Sequence, residues 1–292
     1  MAFIECQQLC QIKSRRPMKT SFTTLGCPAW DLTRIIEQGS RLGFDGVDFR
    51  GLQDDLDITA LPAFTSALQQ TVTRFADAGL VVNGISTSLK VCDDTMADAN
   101  LEEARRTLPV AMALGTETIR VFGGGHPDRH SKQEMADIGQ QMMMRVLELD
   151  GASRFKWVFE THDHWISSAD CALLLERVTV PEFGALWDVG HTSRVGGEAP
   201  ADTLQALGER VYYLHVKDAV LDPDHAQAMK DGWHYVPPGT GQLPIAEALS
   251  LLKDRHYDGW VMFEHEKRWH DDLEEPEEIF LLFMAWFREL QL

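Results

Sequence analysis

Four short runs in the second half of the chain set ionisable residues directly after apolar, strand-forming neighbours. They read Trp157-Val-Phe-Glu160-Thr-His162-Asp163, Leu186-Trp-Asp188-Val-Gly-His191, Tyr213-Leu-His215-Val-Lys217-Asp218 and Val261-Met-Phe-Glu264-His265-Glu266. A charge buried alone at such a place would cost on the order of several kcal/mol, and acids converging on one point would also repel one another. A divalent cation relieves both problems, because it neutralises Glu160, Asp188 and Glu264 and accepts the imidazole of His215. Three carboxylates with one histidine form a hard, oxygen-rich set that suits manganese or magnesium, with cobalt or zinc as further options. Any one of these residues could instead cap a helix or pair at the surface. Four of them on consecutive strands are poorly explained by chance.

The chemistry open to such a site is proton transfer beside a carbonyl. A Lewis-acidic metal that grips a carbonyl and its neighbouring hydroxyl stabilises the enediolate left when a carbon-bound proton departs. A carboxylate on each face could take that proton and return it to the other side. A millionfold acceleration requires about 8 kcal/mol, which metal stabilisation and positioned bases can supply together, so no organic cofactor is needed.

His162 and Lys217 each lie two residues after a proposed ligand and share its inward face if the strand continues. Lys217 could neutralise a developing oxyanion or grip a substrate carboxylate; equally, it could pair with Asp218 or another acid. Arg120 either faces a substrate or forms a salt bridge from core to surface. Trp30, Trp165, Trp187 and Trp233 are candidates for stacking on a sugar ring, and one of the four is expected to matter, since most tryptophans are core.

The elements that must carry these residues alternate. Short apolar β-rich runs at Thr20–Leu25, Gly46–Arg50, Val81–Thr87, Thr118–Phe122, Trp157–Thr161, Gly184–Val189, Val211–Val216 and Gly259–His265 are separated by helical patterns. Those patterns cover Trp30–Leu42, Leu61–Ala78, Leu101–Leu114, Lys132–Leu149, Ser168–Val178, Ala201–Leu207, Ile245–Arg255 and Glu277–Leu290. Gly43, Gly79 and Gly115 stand where helices would end. Strand and helix in strict alternation mean βα units and a parallel sheet. Eight units predict a single-domain (β/α)8 TIM barrel over residues 18–292, since no GxGxxG or P-loop follows the first strand. Gly123-Gly124-Gly125 reads as a tight loop beside a crowded site rather than a phosphate cradle. Residues 1–17 read as an extension ahead of the domain, with Met18 a candidate natural start.

The bulk numbers narrow the partners. With Lys plus Arg at 27 against Asp plus Glu at 45, the formal net charge is −18, which opposes nucleic acid and anionic lipid as partners. Five cysteines without a CxxC pair suggest neither disulfides nor a zinc knuckle, and point to the cytoplasm. No apolar run approaches the roughly 20 residues of a membrane span. The expected partner is a small polyhydroxylated substrate.

The ordered motifs ETHD, WDVGH, HVKD and FEHE, with the GTGQLPIAEALSLLKDRHYDGW segment, resemble the xylose-isomerase-like TIM-barrel superfamily. That superfamily includes sugar isomerases and epimerases, inosose dehydratases and the endonuclease IV group. The resemblance implies metal ligation by Glu160, Asp188, His215 and Glu264, with the two glutamates exchanging protons with a sugar or sugar phosphate. It also implies that His191 binds a substrate hydroxyl or orients the site, where a plain reading of the residue would be a helix-start hydrogen bond. Dimers and tetramers are common among similar barrels, so a homo-oligomer is an expectation. Isomerase and dehydratase need almost the same constellation and stay undivided here. An endonuclease needs further histidines at earlier strand ends, which read Asp48-Phe-Arg50, Ser86-Thr-Ser88 and Phe122-Gly-Gly, with only His126 nearby. A non-catalytic sugar-binding barrel would have no use for two opposed glutamates.

Overall fold

The computed structural model describes residues 18–292; the proposed extension over residues 1–17 lies outside them. Eight parallel strands close into a barrel: β1 (Lys19–Thr23), β2 (Gly46–Phe49), β3 (Val81–Lys90), β4 (Thr118–Phe122), β5 (Lys156–Glu160), β6 (Phe183–Asp188), β7 (Val211–Val216) and, after a hairpin of β8 (Asp218–Leu221) and β9 (Trp233–Val236), β10 (Trp260–Phe263). Closure comes from β1, which pairs in parallel with both β2 and β10. Each of the eight expected strands is found within a few residues of its expected bounds, and the fold is the (β/α)8 barrel.

Helices α1 (Leu32–Leu42), α2 (Leu68–Ala78), α3 (Ala97–Leu114), α4 (Lys132–Leu147), α5 (Ser168–Arg177), α6 (Pro200–Leu207), α7 (Ile245–Asp254) and α8 (Pro276–Glu289) surround the barrel. Local chemistry fixes several of their ends. Asp31 caps α1 by accepting from the Arg34 N–H at 2.8 Å, and Ser131 with Glu134 forms a reciprocal capping box on α4. Gly43, Gly79 and Gly115 take the left-handed conformation that ends α1, α2 and α3.

Two expected helix starts are corrected, and one element is new. The second helix begins at Leu68 rather than Leu61, because Pro62–Phe64 forms a separate 3-10 turn. The third begins at Ala97, ahead of Leu101. Between β7 and α7 the chain makes the antiparallel β8–β9 hairpin, a stretch without a sequence assignment above.

Two apolar layers hold the barrel. A large cluster fills the space between sheet and helices. A smaller one, Val158, Leu186, Tyr213, Trp260 and Met262, is contributed by β5, β6, β7 and β10. Val158, Leu186, Tyr213 and Met262 each stand two residues before Glu160, Asp188, His215 and Glu264. With side chains alternating along a strand, this apolar floor directs those four residues to one interior face at the carboxyl ends. Among the described residues, no helix is long and apolar enough to cross a membrane.

Candidate metal centre

Strand register gathers the four residues. Asp188, the last residue of β6, pairs with His215 of β7; His215 in turn pairs with Met262 of β10, and Glu264 extends that ladder by donating its N–H to the Val216 carbonyl at 2.9 Å. Glu160 ends β5 beside Leu186. One potential ligand atom from each of Glu160, Asp188, His215 and Glu264 lies within 4.8 Å of the others. The His215 Nδ1 is 3.2 Å from Glu264 Oε1 and 3.6 Å from Glu160 Oε1.

The donor set fits a cation by its unmet needs. Among the described residues, neither ring nitrogen of His215 finds a hydrogen-bond partner, although the side chain is 1% exposed. Asp188 Oδ1 accepts from the His191 N–H at 2.9 Å, while Oδ2 is buried without a hydrogen bond. Lys217 Nζ lies 3.0 Å from that Oδ2 as an ion pair without hydrogen-bond geometry. Buried polar atoms are ordinarily satisfied, so such a cluster calls for a ligand.

Electrostatics follow from crowding. Burial pushes Asp188 up to about 6, with Lys217 and His215 pulling the other way. For Glu160, burial is outweighed by the Arg120 guanidinium and His215, which hold it below the usual carboxylate range. Lys217 and His215 likewise outweigh burial at Glu264 and hold it well below that range. Burial opposes the charged form of His215, yet Glu264 and Glu160 raise it to about 10. Burial and Lys217 lower His191 to about 3, which leaves a neutral imidazole there.

The remaining sequence candidates surround the same point. A cavity of about 270 Å³ opens over it, and Arg120, Glu160, His162, His191 and Glu264 all contribute to its wall. His162 and His191 pack edge to face at 4.8 Å, and His162 Nδ1 lies 2.8 Å from Asp163. His191 opens a π-helical turn, His191–Val195, a feature frequent at functional sites. Lys217 does not pair with Asp218. It contacts Glu264 at 2.5 Å and Glu266 at 2.6 Å as well as Asp188, while Asp218 accepts backbone N–H groups from Gly239, Gly241 and Leu243 and so fixes the loop after β9. Arg120 stays inside: it is 4% exposed, lies 3.4 Å from Glu160 Oε2 and stacks 3.7 Å over Phe122. The alternative of a bridge reaching the surface is therefore corrected.

Three of the four candidate tryptophans are core. Trp30, Trp165 and Trp187 are buried and donate to Glu277, the Gly124 carbonyl and Thr192 respectively; Trp233 lies on β9, outside the cavity wall. The tryptophan at the cavity is Trp269, 53% exposed, and Phe122 lines it as well. The glycine run is the tight loop expected, since a Cβ at Gly123 would fall 2.1 Å from the Trp165 ring. Arg50 and Glu266 also line the cavity; each stands two residues beyond an inward acid, a spacing that could have flagged them. A larger cavity of about 640 Å³ lies among Val211, Tyr257, Asp258 and Gly259, at the amino ends of β7 and β10. Barrel chemistry sits at the opposite face, which favours the smaller cavity as the site.

A family model described as xylose isomerase-like TIM barrel matches residues 36–290. Inosose dehydratase 2 of Bacillus cereus is 29% identical over 119 residues, which cover 36% of this chain and 39% of that protein. The chain thus matches well under half the length of that curated relative. The crystal structure of the IOLI protein with a bound zinc atom is 15% identical, with a TM-score of 0.76 over 94% of this chain and 98% of that one. The structure of 3-keto-D-glucoside 4-epimerase, YcjR, from E. coli is 17% identical, with a TM-score of 0.71 over 93% and 99%. At those identities the structural likeness speaks for the fold alone. The family match, running from α1 to the end of α8 across a closed parallel barrel, makes the chain a member of the xylose isomerase-like TIM barrel family.

Proposed function

We propose that this protein is a divalent-metal-dependent isomerase or epimerase acting on a small polyhydroxylated carbonyl compound. The observation that carries the reading is the placement of two ionised glutamates, Glu160 and Glu264, around one buried histidine that makes no hydrogen bond among the described residues. Glu160, Asp188, His215 and Glu264 would hold the ion, which supplies Lewis acidity toward a carbonyl and the hydroxyl beside it. The oxygen-rich set suits manganese or magnesium; zinc is found in the structurally similar IOLI protein.

The chain's own groups then divide the work. Glu160 and Glu264 take a carbon-bound proton from one side of the substrate and return one to the other. Lys217 balances the surplus negative charge of Asp188, Glu264 and Glu266. Neutral His191, held at Nδ1 3.1 Å from the Thr161 carbonyl, presents its other nitrogen for a substrate hydroxyl. His162 narrows the cavity against Phe122, and Trp269 partly covers it. Three buried free cysteines, Cys27, Cys92 and Cys171, fit a reducing compartment such as the cytoplasm.

Dehydration is the second reading, favoured by the inosose dehydratase relative. Loss of water also begins with removal of a proton next to a carbonyl. Incubation of the manganese-loaded protein in D2O with a panel of keto-sugars and inososes separates the two. Deuterium in an isomeric product is expected for the first reading, and a new ultraviolet chromophore without an isomer marks the second. Turnover that survives exhaustive chelation, or a Glu160→Gln/Glu264→Gln double substitution, contradicts both.

A further inference from the structure

We propose that the substrate carries a carboxylate, bound at the β2–β4 side of the cavity by Arg50 and Arg120. This rests on the reading of that cavity as the substrate site. Besides His215, one lysine and two arginines stand near the centre, and they differ in how well they are satisfied. Lys217 is surrounded by Asp188, Glu264 and Glu266. Arg120, 4% exposed, has one long contact to Glu160, and its Nε and Nη1 make no hydrogen bond. Arg50 extends from the carboxyl end of β2, lines the cavity, and has no side-chain hydrogen bond or ion pair among the described residues.

Two guanidiniums facing one small space oppose each other. Burial, then the charge of Arg120, depresses Arg50 to about 10, against the partial relief of Glu103 and Glu160. Once Glu160 gives its charge to a metal ion, Arg120 loses much of the one acidic contact it has among the described residues. An anion arriving from the cavity would satisfy both forks, whose planar geometry suits a carboxylate. The volume, about 270 Å³, admits a six-carbon hydroxy acid.

Titration calorimetry on the manganese-loaded full chain, with metal content measured in the same samples, tests this with D-galacturonate, D-galactose 6-phosphate and D-galactose. Galacturonate is expected to bind about tenfold or more tightly than galactose, the worth of one charge-assisted hydrogen bond. Arg50→Gln and Arg120→Gln should each collapse that gap. Because Arg50 has no side-chain hydrogen bond or ion pair among the described residues, its variant remains informative should Arg120→Gln fail to fold. No binding of either anion, equal binding of galacturonate and galactose, a preference for the phosphate, or a gap untouched by both substitutions would overturn the carboxylate assignment. Metal bound without an arginine-dependent preference leaves the proposed function standing. An arginine-dependent preference in samples unable to hold metal does the reverse.

Discussion

Two halves of the barrel interior bury acids at similar depth and treat them in opposite ways. On the β1–β4 side, Asp48 is 1% exposed, yet it accepts from Ser86 at 2.7 Å and from Tyr213 at 2.9 Å, and Asn83 donates to that same Tyr213 hydroxyl at 2.7 Å. On the β5–β10 side, Asp188 is fully buried with Oδ2 lacking a hydrogen bond, and His215 beside it lacks any. Burial raises both aspartates, so burial alone does not separate them. Hydrogen bonding of the acid itself does: both Asp48 oxygens accept a hydrogen bond and serve the fold, whereas Asp188 Oδ2 accepts none among the described residues and is poised for a ligand.

The sharpest way to break this comparison is to alter one residue in each half. Glu264→Gln should lower kcat by about a thousandfold or more, as removal of a proton-transfer group and a metal ligand together would, while circular dichroism and melting of the metal-free protein stay near wild type. Asp48→Ala should do the opposite. Leaving the Tyr213 and Ser86 hydroxyl protons without their acceptor should lower unfolding free energy by about 2–3 kcal/mol in denaturant titration, with metal content retained. Equal loss of metal from both variants would erase the distinction.

A smaller effect concerns protons. In the metal-free protein His215 stays charged up to about pH 10, whereas a ligand histidine must be neutral, so an ion displaces its proton. Metal affinity should therefore rise about tenfold per pH unit between roughly 6 and 10. Below about 6 Asp188 also holds a proton, and the dependence should steepen. Calorimetry in buffers of different ionisation enthalpy would count the protons, and a flat profile would contradict the assignment of His215. Smallest is Trp269→Ala, expected to raise KM by about tenfold or less through lost contact area, with little change in kcat.

Much of this division is legible in the sequence. Period-two apolar runs and glycine stops are local signals, and they locate all eight barrel strands; inward parity then places Glu160, Asp188, His215 and Glu264 together. What stays hidden depends on long-range pairing. Lys217 meets acids 47 and 49 residues away, so its partners could not be told from adjacent Asp218. The β8–β9 hairpin joins segments across a polar loop, and Trp233–Val236 lacks strand alternation in exposure. Tryptophan identity says nothing of direction: Trp165 and Trp187 pack outward from the cavity, and Trp269 lies on a loop after β10 without any periodic signal.

The central claim is that Glu160, Asp188, His215 and Glu264 share one ion. Anomalous diffraction from crystals soaked in manganese measures this directly. A single strong peak is expected at the carboxyl ends of β5, β6, β7 and β10, bonded to all four side chains, with Lys217 turned to Glu266. No peak there, with Lys217 still bridging Asp188 and Glu264, would contradict it.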